Sequence, residues 1–137
     1  MKFTALVIAI LFLAIAVFLP KAAAQDFSES IATHIDIADD NAKDGAIISL
    51  TEAGFVVTAT AYDSLLYGVI VENPAASIED TSLANSKPIV SQGKAYVLVS
   101  TRNGNIKRGD FIASSEIPGV GQKAARSGTV LGMALED

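Results

Sequence analysis

Short apolar runs separated by glycine and proline recur along the chain from residue 33 onward. Runs of this length between such breaks are typical of strands, because glycine supplies the positive φ angles that tight turns need. Within residues 33–38, Ile35 and Ile37 alternate with polar side chains and are expected to face the core. The predicted strands lie at residues 33–38, 46–50, 55–60, 67–71, 88–90, 94–101, 111–113, 130–131 and 133–135.

The segments between these runs predict how the strands are connected. Residues 51–54 predict a hairpin turn, and Gln92-Gly93 predicts a second hairpin that joins residues 88–90 to 94–101. Residues 72–87 are rich in Asn, Pro, Ser and Asp, which favours a long loop. We therefore expect an all-β fold, built as a compact β-sandwich or barrel-like domain.

One spacing between glycines occurs twice in the chain. Gly45 and Gly68 are 23 positions apart, as are Gly109 and Gly132, with apolar runs at matching places between them. This predicts an internal duplication in which each half covers the apolar face of the other. Six residues are interpreted as structural turn positions: Gly45, Gly68, Gly109, Asp110, Gly119 and Gly132. If Gly132 has a positive φ, Gly132→Val should destabilise the protein.

The N-terminus reads as an export signal. Lys2 precedes an apolar run over residues 3–19, and Pro20 with Ala22 and Ala24 follows. This order predicts an apolar helix within a signal peptide over residues 1–24, cleaved after Ala24. The alternative is an uncleaved anchor that spans the membrane with residues 3–19. In both cases a flexible lead-in over residues 25–34 and a β-rich domain over residues 35–137 are expected outside the cytoplasm, secreted or held at the membrane.

Composition narrows the function classes. The chain has no cysteine, which excludes a disulfide framework and a thiolate zinc site. After Lys21 there are 8 basic and 15 acidic side chains, a formal charge of −7. An acidic domain repels phosphate backbones, so nucleic acid is not an expected partner. Membrane contact is expected only through the N-terminal segment, if that segment is retained.

Candidate chemistry is sparse. Ser114, Ser115 and Lys123 would allow a Ser-Lys dyad, but no nucleophile elbow or Ser-x-x-Lys motif surrounds them. His34 is the only histidine, so a metal site lacks convergent partners, and it is interpreted as a solvated strand residue. No catalytic residue, metal site or cofactor is therefore assigned.

Two short motifs suggest a binding function, but we prefer a structural interpretation of each. Asp39, Asp40, Asn41 and Asp44 invite a calcium site, but the positions that an EF-hand loop requires are not filled with oxygen ligands. An acidic turn with Asx-type hydrogen bonds is the simpler interpretation. Arg108-Gly109-Asp110 is the tripeptide that integrins bind, but here it is expected to shape the entrance to a strand.

The aromatic residues are few and include no tryptophan, which disfavours a platform for stacking carbohydrate. Three of them, Phe55, Tyr67 and Phe111, fall on predicted core faces and are expected to pack there. The remaining aromatic residues outside the signal segment are Phe27, Tyr62 and Tyr96.

Longer motifs carry a family resemblance. They are Gly104-x-Ile-Lys-x-Gly-Asp-Phe-Ile112, Ser114-Ser115-x-x-Pro-Gly119 and Gly128-Thr-Val-Leu-Gly-x-Ala-Leu-Glu136, with Asp44-Gly45, Tyr62-Asp63 and Gly68 to Pro74 upstream. Residues 35–137 thereby resemble a β-rich module of exported bacterial proteins and phage tail-fibre-like proteins. The resemblance implies a structural or assembly role. We accordingly expect an exported, non-enzymatic structural or interaction module whose partner is another protein or a further copy of itself. The alternatives are a Ser-Lys hydrolase or self-cleaving domain, and a module that binds calcium or a small ligand.

Overall fold

The computed structural model describes residues 28–79, 82–83 and 85–137, and these residues form an all-β structure. The predicted signal segment and Phe27 lie outside the described residues. No helix that could cross a membrane occurs in the part of the chain that the structure describes. The strands are β1 (Ser28–Asp36), β2 (Ile47–Thr51), β3 (Gly54–Val57), β4 (Leu66–Ile70), β5 (Pro74–Ile78), β6 (Ser86–Val90), β7 (Val99–Ser100), β8 (Phe111–Ser114), β9 (Gly121–Lys123) and β10 (Gly132–Met133).

The strands form two mixed sheets. The larger sheet has six strands in the order β3-β2-β4-β6-β1-β5, and its only parallel pair is β1 with β5. The smaller sheet has four strands in the order β10-β8-β9-β7, with β7 parallel to β9. The predicted hairpin over residues 46–60 is confirmed, since β2 and β3 are antiparallel with Ile48 opposite Val57. Gly54 closes its turn with a φ of 109° and accepts a 2.9 Å hydrogen bond from the Thr51 hydroxyl.

Several sequence-based assignments are wrong. The lead-in predicted over residues 25–34 is a strand from Ser28 onward, and the long loop predicted over residues 72–87 contains β5 and the start of β6. The hairpin predicted around Gln92-Gly93 does not form, because β6 pairs with β1 and β4 instead. Only Val99–Ser100 of the predicted 94–101 strand is a strand. Alternation of side chains shows that a segment can be a strand, but it does not identify the partner strand.

Two units of the chain share strand order and part of their register, and we call residues 43–72 the first unit and residues 107–136 the second unit. In each unit the first strand lies in the middle, as β3-β2-β4 and as β9-β8-β10. Ile48 lies opposite Gly68 in the first unit, and Ile112 lies opposite Gly132 in the second. Loop hydrogen bonds also correspond. They are Gly45 N to Ile70 O (2.9 Å) and Ala46 N to Lys43 O (3.0 Å) in the first unit, and Gly109 N to Ala134 O (2.8 Å) and Asp110 N to Lys107 O (2.9 Å) in the second.

The core lies mainly on the larger sheet. Its main cluster joins β2, β3, β4 and β6 with the loop after β1, and the buried members are Ile37, Ala42, Ala46, Ile48, Val57, Ile70 and Ile89. Phe55 and Tyr67 pack against this cluster with their rings 4.8 Å apart in an edge-on arrangement, as expected. A smaller cluster on the same sheet contains Ala32, Val71 and Val90, with Ala95 packed against it.

The two sheets are joined by backbone hydrogen bonds near the start of β2. Ile47 N–H donates to Gly119 O at 2.9 Å, and Gly119 N–H donates to Thr58 O at 2.7 Å. Leu98 extends this connection, since its N–H bonds Gly45 O and its O accepts from Gly121 N–H. Leu98, within the predicted 94–101 strand, therefore bridges the two units with its backbone N–H and C=O.

Candidate functional site

The three residues of the Ser-Lys hypothesis each have a structural partner. Ser114 is fully buried at the end of β8, where its Oγ accepts a 2.9 Å hydrogen bond from Asp63 N–H. Ser115 Oγ donates to Val120 O at 2.6 Å and accepts from Ile117 N–H at 3.1 Å, which closes the turn before β9. Lys123 Nζ lies 2.7 Å from Asp110 Oδ2. Among the described residues, no hydrogen bond joins the lysine to either serine.

Asp63 is the centre of a polar cluster that connects the two units. Its Oδ2 accepts hydrogen bonds from Ser49 Oγ at 2.7 Å and Thr58 Oγ1 at 3.0 Å, and its Oδ1 accepts from Leu65 N–H at 2.9 Å. Burial disfavours the charged carboxylate, but the hydrogen bonds from Ser49, Leu65 N–H and Thr58 outweigh burial and leave the pKa of Asp63 below its usual value. With the Asp63 N–H bonded to Ser114, one residue ties together β2, the residue that follows β3, and β8.

Tyr62 holds the loop that follows β9. It is the only non-glycine residue with a positive φ, 56°, among the described residues. Its hydroxyl oxygen accepts hydrogen bonds from Ala125 N–H at 2.8 Å and Arg126 N–H at 3.3 Å, and the Arg126 guanidinium lies 4.3 Å from the ring centroid. A Cβ on Gly128 would lie 2.8 Å from Tyr62 Cδ1. The positive φ of Tyr62 therefore belongs to a residue whose side chain anchors the loop after β9.

Sequence reasoning did not single out Asp63 or Tyr62 as contact residues. The only sequence signal was the Tyr62-Asp63 pair within the family resemblance. Ser114 is separated from Asp63 by 51 positions, so only the folded chain brings the two together. No spacing pattern in the sequence indicates the contacts that Asp63 and Tyr62 make.

The Arg108-Gly109-Asp110 tripeptide forms a turn at the entrance to β8. Gly109 has a φ of 91°, and Asp110 Oδ2 accepts a 2.8 Å hydrogen bond from Lys107 N–H. Arg108 N–H donates to Asp137 Oδ1 at 2.7 Å. The hydrogen bonds from Lys123 and from the Lys107 amide, with the charges of both lysines, hold the pKa of Asp110 below its usual value. The Asp110 carboxylate is thus engaged within the turn.

The six glycine and aspartate positions interpreted as turns fall into two groups. Gly45 and Gly119, like Gly109, have positive φ angles, 77° and 72°, and lie in turns. Gly68 and Gly132 do not, and the structure corrects their interpretation by placing them inside β4 and β10. Gly68 is required by close approach instead, because a Cβ there would lie 2.5 Å from Val90 O. A Cβ on Gly132 would have nothing within 4 Å, so the basis for expecting Gly132→Val to destabilise is lost.

The acidic loop shows turn chemistry. Asp39 Oδ1 accepts a 2.8 Å hydrogen bond from Asn41 N–H, which is the Asx-type bond expected there. Asp44 Oδ1 accepts from Glu72 N–H at 2.9 Å and so ties the loop to the end of β4. Within the described ranges, no three His, Asp or Glu side chains are grouped so that they could hold a metal ion.

His34 is less exposed than the sequence suggested. Its side chain is 17% exposed, with Nδ1 3.1 Å from Ser86 Oγ and Nε2 3.6 Å from Glu79 Oε1. The alternation of β1 does place it on the opposite face from Ile35. The side chains of Ser86 on β6 and of Glu79 lie against the ring and leave it partly buried, and the interpretation as a solvated residue is therefore wrong.

Large apolar side chains are exposed on both sheets. On β1 and β5, Ile31 and Ile78 are each 65% exposed, and a cleft of about 460 Å³ opens beside Ile31 between Ser30 and Gln92. On the smaller sheet Phe111 is also exposed, which corrects the expectation that it packs in the core. Clustered exposed apolar groups are typical of surfaces that contact another protein.

No protein family, curated protein or solved structure matches this chain in sequence or structure comparisons. A functional assignment therefore rests on the contacts and exposed surfaces of the chain itself.

Proposed function

We propose that this chain is an exported, non-enzymatic structural or interaction module that acts by contact with other protein, at the cell envelope or outside the cell. One observation carries the proposal. The candidate nucleophile Ser114 and the candidate base Lys123 are engaged in bonds that stabilise the fold, while bulky apolar side chains lie exposed on both sheets. An exposed apolar surface on an otherwise polar domain favours association.

The sequence adds two further reasons. The order of Lys2, the apolar residues 3–19 and the small residues Ala22 and Ala24 favours export, whether the segment is cleaved or kept as an anchor. The resemblance of residues 35–137 to a module of exported and tail-fibre-like proteins favours an assembly role. The register that the β2–β4 pair shares with the β8–β10 pair favours a domain built by internal duplication, and a sandwich or barrel-like arrangement of the sheets belongs to the same proposal.

Export and chemistry can be tested on the full chain with a C-terminal tag, expressed in a bacterial host. The tag should be digested by protease added to spheroplasts, and the protein should keep a single mass and resist a fluorophosphonate probe. The matched control is Ser114→Ala, which should give the same labelling. A tag protected inside the spheroplast, or labelling that disappears in Ser114→Ala, would reject the proposal.

A further inference from the structure

Strand β5 is an open edge of the larger sheet. It is the last strand in the sheet order, and among the described residues it pairs only with β1, on its inner side. The residues that follow Pro74, from Ala75 to Ile78, are all exposed. Successive residues of a strand direct their N–H and C=O groups to opposite sides. Every second residue of β5 therefore presents a backbone donor and acceptor toward the outer side.

The other outer strands are protected in ways that β5 is not. β7 and β10 are each two residues long, and β3 is four residues long with no exposed residue. β5 has five residues, none of them charged. Short length, cover and charge are the features that keep sheet edges from pairing with other chains. Of the four outer strands in the described part of the chain, β5 is therefore the one suited to accept a further strand.

One face of β5 adds an apolar contact to these backbone groups. Ala76 lies opposite Ile31 and Ile78 lies opposite Thr33, so Ile31 and Ile78 share a face. Both isoleucines are 65% exposed. A strand added outside β5 would place its own side chains next to Ala76 and Ile78, and burial of these apolar groups favours pairing. Backbone hydrogen bonds together with alternate side-chain contacts are how a sheet edge binds an extended segment.

The charge around β5 selects the kind of segment. Between Lys43 and Lys87 the sequence contains six acidic and no basic side chains. Two of the acidic residues, Glu72 and Glu79, are exposed at the two ends of β5, and the Glu79 side chain is 60% exposed although His34 Nε2 lies 3.6 Å away. Two copies that paired β5 with β5 would bring acidic ends together in either strand direction, which is unfavourable. A strand with basic residues at its ends is complementary instead.

We propose that the outer edge of β5 binds an extended segment of another protein, with an uncharged centre and lysine or arginine at its ends, as a seventh strand of the larger sheet. The occupant is a strand because the edge groups of β5 repeat with the period of an extended backbone. The inference rests on the proposed function and names the class of partner and the surface that meets it.

The probe is a labelled peptide with the sequence Lys-Thr-Val-Thr-Val-Thr-Lys, and the control peptide has glutamate in place of both lysines. The protein is the exported form, purified from a host that expresses the full chain. Fluorescence anisotropy at low salt should give a Kd for the lysine peptide about tenfold below that for the glutamate peptide, a difference of about 1.4 kcal/mol. Proline in place of the central threonine should abolish binding, because proline has no N–H to donate. The bound lysine peptide should slow hydrogen exchange in β5 and leave β3 unchanged.

Two proline variants test the edge directly. Ala76 and Ser77 are successive residues in a regular register, so one directs its N–H toward β1 and the other directs it outward. Of Ala76→Pro and Ser77→Pro, one should lower the urea midpoint, and the other should keep the midpoint and lose the lysine peptide. Proline is tolerated in an edge strand where its nitrogen faces outward. If the variant with the unchanged midpoint binds the peptide as the wild type does, the edge of β5 is not the site.

Charge variants test the choice of partner. Glu72→Gln combined with Glu79→Gln should remove most of the preference for the lysine peptide over the glutamate peptide. The matched control is Glu52→Gln combined with Glu116→Gln, which changes the net charge equally at exposed turns of other strands and should keep the preference. An equal loss in both double variants would mean that net charge alone attracts the peptide, and the assignment to β5 would be wrong.

Other outcomes separate this inference from the proposed function. If the protein alone forms a dimer that the outward-facing proline variant disrupts, a second copy pairs with β5 and the basic partner is wrong. If neither peptide binds while the exported chain still crosslinks to a different protein, the inference fails and the proposed function stands. If the chain is not exported or is labelled through Ser114, the proposed function fails whatever the peptides show.

Discussion

Gly68 and Gly132 occupy matching positions in the two units, and they provide a matched pair of substitutions. Each lies inside a strand without a positive φ, opposite Ile48 and Ile112 respectively. A Cβ on Gly68 would lie 2.5 Å from Val90 O and 2.9 Å from Ile89 Cγ2. A Cβ on Gly132 would have no neighbour within 4 Å. The same change, Gly→Ala, therefore tests packing alone.

The expected change in the free energy of unfolding follows from these distances. Ordinary contacts of a Cβ begin near 3.4 Å, so β4 and β6 would have to separate by most of an ångström at Gly68→Ala. The affected backbone is the paired segment where Val69 lies opposite Val90, so its ladder hydrogen bonds would lengthen as well. Overpacking of this kind costs about 1–3 kcal/mol. At Gly132 the loss of chain entropy in the unfolded state should instead stabilise by about 0.4–1 kcal/mol.

The assay is urea unfolding of residues 25–137, followed by far-ultraviolet circular dichroism, with thermal unfolding alongside. Gly68→Ala should lower Tm by roughly 5–15 °C, on the scale of about 4–8 °C per kcal/mol for a domain of this size. Gly132→Ala should leave Tm unchanged or raise it by a few degrees. If the two variants unfold at the same midpoint, the close approach of β4 to β6 does not constrain residue 68.

Further predictions concern the polar contacts between the units. The lowered pKa of Asp63 means that its contribution to stability is present above the unfolded value of about 3.9 and is lost as pH falls through the folded value. The free energy of unfolding should therefore fall between about pH 5 and pH 3; Asp63→Asn should flatten that dependence, and the exposed Asp40→Asn should not. Tyr62→Phe removes the acceptor for two loop amides and should cost about 1 kcal/mol, with faster hydrogen exchange at Ala125 and Arg126. If exchange at those amides is unchanged, Tyr62 does not hold the loop.

Substitution of Ser114 tests whether its buried hydroxyl has a structural role. Ser114→Ala removes the acceptor for Asp63 N–H and should destabilise by about 1–3 kcal/mol, because a polar group in a buried site loses its partner. Gly109→Ala provides a comparison on the same unit, since it strains a backbone with a φ of 91° and leaves the cluster intact. Only Ser114→Ala should speed hydrogen exchange at the Asp63 amide. Equal exchange in both variants would contradict the role of the Ser114 hydroxyl.

Much of the local structure could be predicted from the sequence. The β2–β3 hairpin follows from alternation around Thr51–Gly54, and the turn at Gly109-Asp110 follows from residues that need or tolerate special backbone angles. The matching glycine spacing also pointed to two units that share strand order and the register of Ile48 on Gly68 and of Ile112 on Gly132. These features depend on interactions between residues near each other in the chain, so a local pattern is sufficient to indicate them.

The partners of strands and the exposure of side chains were decided only by the tertiary structure. The sequence could not show that β6 pairs with β1 and β4, since an apolar strand alternates in the same way beside any partner. Phe111 and Ile47 occupy the same place in their units, yet the second unit covers Ile47 and nothing among the described residues covers Phe111. The sequence also could not show why a glycine is needed at a given position. Gly45 is needed because its φ is positive, whereas Gly68 is needed because β6 lies too close for a Cβ. The sequence by itself determined the β2–β3 hairpin and the turns at Gly45, Gly109 and Gly119, while strand pairing, burial and spacing depend on segments that meet only after folding.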